Sequence, residues 1–161
     1  MPTVKPIPDG YHAITACFAV SDAAKAIEFY KKAFGAQEVF RMEAPGNKVA
    51  HAELQIGDSK IMISDEFMEM GAKSAKTMGG TPVGFYLYVT DCDAMAKQAV
   101  AAGAKELMPL QNMFYGDRTG RYEDPFGMIW HISTHIEDPT MEQIRERAAA
   151  AMKQHKQKQP A

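Results

Sequence analysis

The feature that most constrains this chain is that it repeats itself. Val20-Ser21-Asp22 returns as Val89-Thr90-Asp91, the Gly35-Ala36 step returns as Gly103-Ala104, and Ile63-Ser64 returns as Ile132-Ser133. Three landmarks keep one order at offsets of 69, 68 and 69 positions. A spacing that regular implies a duplicated unit, so the fold must be one that two like halves can build together.

Each half reads in the same way. In the first, His12 to Val20 alternates as a strand, with Ile14, Ala16, Phe18 and Val20 on one face. Ser21 or Asp22 then caps a helix whose stripe is Ala23, Ala26, Ile27, Tyr30 and Phe34, and Gly35 suits its left-handed stop. Strands near 37–42, 48–56 and 59–65 follow, parted by the turn signals Pro45-Gly46-Asn47 and Gly57-Asp58. The second half predicts a strand at 83–90, a helix at 91–102, and strands at 106–111, 117–123 and 127–134, with Asp124-Pro125-Phe126-Gly127 as the last turn. The fold expected is α+β: a module at 10–66, a linker at 67–81, a second module at 82–135 and a C-terminal helix at 138–156. The linker reads either as a lid or as a plain connector. Asp138 and Pro139 suit the start of the last helix, and Met141, Ile144, Ala148 and Met152 give it an apolar stripe for the body or a second subunit.

Composition narrows the function classes. A chain of 161 residues, 46% hydrophobic, can bury a core without a metal or disulfide to hold it. The net charge is −2 and the basic residues are spread out, which argues against a nucleic-acid partner. The exception is a polar tail with Lys153, Lys156 and Lys158, read as a fraying helix end. Cys17 and Cys92 stand alone, no run is long enough to span a membrane, and the first residues lack an apolar signal core. A cytoplasmic protein is expected.

The paired units, together with VSDAAKAIEFYKKAFGAQEVFRM in the first half and YGDRTGRYEDPFGMIWHISTHIED in the second, resemble the vicinal oxygen chelate superfamily and within it the PhnB-like branch. Glyoxalase I, ring-cleaving dioxygenases, fosfomycin-modifying enzymes and bleomycin-binding proteins are members. The resemblance spans about residues 7–145 and implies tandem βαβββ modules forming an open eight-stranded cup, commonly in a homodimer. It also implies a divalent metal (zinc, iron(II), manganese or magnesium) held by four side chains, at positions that correspond here to Thr15, Met62, Gly84 and His131. Of these only His131 is a credible ligand, because glycine has no side chain and a thioether suits soft copper(I). A degraded metal site is therefore expected.

Strand parity sorts the remaining candidates. Met128, Trp130 and Ile132 belong to the core face of their strand, which turns His131 and Ser133 toward the cup. By the same alternation Thr15, Cys17, His51, Glu53, Gln55, Met62, Ser64, Tyr86 and Tyr88 line it. The outer face of any one-sided sheet would show the same polar list. His51 and Glu53 read as a displaced metal pair with His131, as an acid/base couple, or as a plain salt bridge. His12 is expected in a turn contact and His135 in solvent. In the string Phe114 to Arg118, Tyr115 is a candidate for ligand contact, and Asp117 with Arg118 reads either as a holder of an anionic ligand or, the reading preferred, as an ion pair that fixes the loop. Two functions are carried forward. One is a binding protein for a small organic ligand, using Tyr86, Tyr88, Met62, Thr15, Tyr115 and Arg118. The other is a glyoxalase-like or dioxygenase-like enzyme with a metal on His51, Glu53 and His131, or with His131 or Glu53 as a metal-free base.

Overall fold

The computed structural model describes residues 4–157, and Lys158 of the basic tail lies outside them. The first module runs β1 (Ala16–Val20), α1 (Ala23–Phe34), β2 (Gln37–Ala44), β3 (Lys48–Ile56) and β4 (Ser59–Asp65). A 3-10 turn at Met68–Met70 and the short α2 (Ala75–Met78) make the connection. The second module runs β5 (Gly84–Tyr88), α3 (Cys92–Ala102), β6 (Lys105–Asn112), β7 (Asp117–Glu123) and β8 (Ile129–His135), and α4 (Met141–Gln157) follows. None of the helices among the described residues is long and apolar enough to cross a membrane.

The duplication extends to single hydrogen bonds. Asp22 caps α1 by accepting from Lys25 N at 3.0 Å, and Asp91 caps α3 by accepting from Ala94 N at 2.9 Å. Asp65, at the end of β4, accepts from Ala23 N, while Thr134, its counterpart on β8, accepts from Cys92 N. Each module thus ties the first turn of its helix to the end of its last strand. The sheets match as well: β1-β4-β3-β2 in one and β5-β8-β7-β6 in the other, with β1–β4 and β5–β8 parallel.

One aromatic core serves both modules. Phe34 of α1 lies 4.5 Å from Trp130 of β8 by ring centroids, Tyr30 lies 5.5 Å from it, and Phe18 meets Phe85 at 5.2 Å. Asp124 is the polar node of this core. Buried in the turn between β7 and β8, it accepts from Tyr30 Oη, Trp130 Nε1, Phe126 N and Met128 N at 2.8 to 2.9 Å. A buried carboxylate is tolerable only with that degree of satisfaction. Gln98 of α3 donates to the last carbonyls of α1, at Lys32 and Ala33, and so locks the two helices side by side.

The eight strands form two open four-stranded sheets, one from each module, and among the described residues β1 and β5 ladder with β4 and β8. Two boundaries differ from expectation. The first strand starts at Ala16 and not at His12, since its ladder opens where Ile61 stands opposite; Ile14 is left 90% exposed. The last helix starts at Met141. Thr140 caps it in a reciprocal box, accepting from Gln143 N while Gln143 Oε1 accepts from Thr140 N, and Asp138 instead faces His135. The linker is a folded connector: Glu66 accepts from Ser74 N and Thr77 Oγ1, and Ser74 caps α2.

Candidate functional site

The two sheets carry very different outer faces. On the second, Tyr86 stands opposite His131 and Tyr88 opposite Ser133 in the β5–β8 ladder. Tyr86 and His131 are stacked, 4.3 Å between centroids and 3° from parallel, with Tyr88 a further 6.2 Å along. Tyr86 is 53% and Tyr88 57% exposed, so both rings present surface outward. A cavity of about 590 Å³ opens beside them, lined also by Ile14, Ala16, Lys60 and Leu87. Burial first, and then the Arg121 charge, push His131 below its usual range, so its ring is neutral at pH 7.

Behind the rings lies a chain of ionisable groups. Tyr88 Oη donates to Asp117 Oδ2 at 2.7 Å, and Asp117 Oδ1 meets His135 Nδ1 at 2.7 Å. His135 Nε2 in turn meets Asp138 Oδ1 at 2.9 Å. His135 is exposed, as expected, and is also held between two carboxylates; its pKa is raised by Asp117 first and then by Asp138. Tyr115 sits at the end of the same face; burial, then neighbouring Tyr86, push its phenol up to about 12.

The first sheet offers a smaller concavity. Thr15, Glu53 and Met62 line a cavity of about 560 Å³ together with Pro6, Tyr11 and His12 of the leading segment. His51 Nε2 lies 3.6 Å from Glu53 Oε1, an ion pair only when the imidazole is charged. The Tyr11 hydroxyl is buried and finds no partner in hydrogen-bonding geometry. Glu53 stands near enough for the two to bias one another: the Tyr11 hydroxyl first, then His51 and Lys60, hold the carboxyl below its usual range. Burial and then the Glu53 carboxylate push the Tyr11 phenol up to about 12.

The donor set at the family positions does not suit a family-type metal, because Gly84 offers no ligand atom and Met62 only a thioether. Thr15 and Met62 share a cavity that takes in neither Gly84 nor His131. A Cβ built on Gly84 would stand 3.3 Å from His131 Nε2, so the imidazole already fills the room that a ligand side chain at 84 would need. The displaced set fares no better. His51 and Glu53 lie on β3 and His131 on β8, in different sheets. Among the described residues no three His, Cys, Asp or Glu side chains gather as a metal-holding group.

Arg118 lies on the other side of its strand from the rings. Its Nε and Nη2 donate to both oxygens of Asp93 on α3 at 2.7 Å, and Nη1 donates to Asn112. The ring face carries Arg121 instead, paired opposite His131 in the β7–β8 ladder. Unlike Arg41, Arg118 and Arg147, which are paired to carboxylates, exposed Arg121 forms no ion pair with a described residue. Strand alternation was the signal for it, since buried Tyr122 sets the core parity of β7 and puts Arg121 on the opposite face.

Comparison with known proteins agrees with the fold. A family model described as the Glyoxalase/Bleomycin resistance protein/Dioxygenase superfamily matches residues 12–132. An uncharacterised protein of Mycobacterium bovis is 40% identical over 136 residues, 83% of this chain and 90% of that one. The crystal structure of an Arabidopsis thaliana gene product is 27% identical with a TM-score of 0.62, covering 75% of this chain and 97% of its own. A PhnB protein from Bacillus cereus shares the fold at 19% identity and a TM-score of 0.60, covering 76% and 99%. With two βαβββ modules in place and three quarters of its length matched, the chain belongs to the glyoxalase/bleomycin resistance protein/dioxygenase superfamily.

Proposed function

We propose that the chain is a small-molecule binding protein that takes a flat, partly apolar, anionic molecule against the ring face of its second sheet. One observation carries the reading: Tyr86 and Tyr88 stand half exposed beside a neutral His131, already stacked and held on strands. Rings fixed in this way lose little freedom when a further ring is added, and a well-placed aromatic pair contributes about 0.5–1.5 kcal/mol beyond the area it buries. Arg121, which forms no ion pair with a described residue, supplies a forked cation for a carboxylate or phosphate at the edge of that ring.

A second copy of the chain is the cover we propose for the face. The duplication gives each chain two half-sites, at Thr15 and Met62 and at Gly84 and His131, and a paired copy can set one against the other. Sedimentation at micromolar concentration should then show a dimer. Calorimetric titration with 2-naphthoate is the test of binding. We expect saturable binding to the wild type, weakened about tenfold or more by Tyr86→Ala and by Arg121→Ala. No binding, or equal binding by Tyr86→Ala, would reject the reading.

A further inference from the structure

The ring face selects for more than flatness. A phenol has one proton to give and two lone pairs to offer. At Tyr88 the proton is committed: Oη donates to Asp117 Oδ2 at 2.7 Å. That bond is held in place from behind. Asp117 is only 5% exposed, at the first position of β7 opposite His135, and its other oxygen meets His135 Nδ1 at 2.7 Å. His135 is in turn fixed by Asp138. A carboxylate can only accept, so Tyr88 cannot reverse the bond while Asp117 is ionised. We infer that the Tyr88 hydroxyl is a pure acceptor in this site and that the natural ligand carries an O–H or N–H donor at the edge of its ring that meets Tyr88.

The inference rests on the ring-face reading above and deepens it by naming a required group. The bond to Asp117 first, and then burial, push the Tyr88 phenol up to about 12, so it stays protonated, and its proton stays engaged, through the neutral range. Tyr86, beside it, has no carboxylate partner among the described residues; its neighbour is the Tyr115 hydroxyl, a group that can donate or accept. Discrimination therefore falls on Tyr88. A ligand with an ether or carbonyl oxygen at that edge sets lone pair against lone pair and leaves the Tyr88 oxygen without the water it loses on binding.

Two probes of the same ring system separate the possibilities: 2-naphthol, which donates, and 2-methoxynaphthalene, which accepts only. Each is titrated into wild type, Tyr88→Phe and Tyr86→Ala. The Kd ratio of the two probes within one protein cancels any general effect of the substitution. One neutral hydrogen bond corresponds to about 3- to 10-fold in affinity. We expect the ratio to move by that much toward the ether on going from wild type to Tyr88→Phe, through loss of naphthol affinity. Asp117→Asn, if it folds, should also relax the preference, because the amide can donate to the phenol and free its proton. An unchanged ratio in Tyr88→Phe overturns the inference; if Tyr86→Ala still weakens both probes, the ring-face reading survives it. Failure of both probes to bind the wild type overturns the inference, and the ring-face reading falls with it only if 2-naphthoate also fails to bind.

Discussion

Removing the Tyr30 hydroxyl tests whether the two modules are joined through Asp124. In the structure Tyr30, from α1 of the first module, is fully buried and donates at 2.8 Å to a carboxylate in the β7–β8 turn of the second. Tyr30→Phe keeps the ring contacts to Phe34 and Trp130 and deletes this bond alone. A hydrogen bond to a charged, buried acceptor contributes about 1.5–3 kcal/mol. Asp124 would keep three of its four donors, so the loss should fall within that range and not beyond it. With a urea slope of about 2–3 kcal/mol per molar, the midpoint should fall by about 0.5–1.5 M. Trp130, the single tryptophan, also donates to Asp124, and its fluorescence follows the melting of this node directly. A double-mutant cycle with Asp124→Asn should be non-additive, because the two side chains share one bond. A midpoint shift below about 0.2 M, or strict additivity, would refute the clamp.

Other consequences follow from particular contacts. Gly116 sits at φ +100, and a Cβ there would stand 2.2 Å from the Glu137 carbonyl oxygen, so Gly116→Ala should cost several kcal/mol or abolish soluble expression, checked by thermal melting. Replacing Arg118 by methionine removes a surface ion pair with Asp93 and should leave the thermal midpoint nearly unchanged, with 2-naphthoate affinity intact. His135 has its pKa raised in the folded chain, so its contribution is fully present below the unfolded value of about 6.5 and is lost as pH rises through the higher folded value. The stability difference between wild type and His135→Asn, from urea midpoints across pH 5 to 9, should therefore shrink as pH rises; a difference that grows would contradict the assignment.

Much of the fold was legible because it rests on local signals stated twice. Asp22 and Asp91, Gly35 and Gly103, and the alternation around Leu54 and Trp130 each marked an element boundary or a core face that the structure reproduces. The errors arose where the deciding partner is remote or the local signals compete. Ile14 has strand alternation but no β4 partner to ladder with, and Asp138 is a good cap that His135 claims before the helix does. The site was harder to read for the same reason. Parity points to Tyr86 and Tyr88, and His131 follows both from parity and from the family's metal position. Arg118 draws notice through the family-like string Phe114 to Arg118 while Arg121 goes unremarked, although buried Tyr122 already puts Arg118 on the helical side. The Asp117–His135 contact joins the two ends of an antiparallel pair, which no spacing announces.

A crystal structure of the protein grown with 2-naphthoate tests the ring-face site. The naphthalene ring should lie stacked on Tyr86 and Tyr88, at centroid separations of about 4.5–7 Å, with its carboxylate on Arg121. Density for the ring in the separate cavity beneath the linker, beside Cys17, Phe18 and Met128, with the Tyr86 face bare, would contradict it.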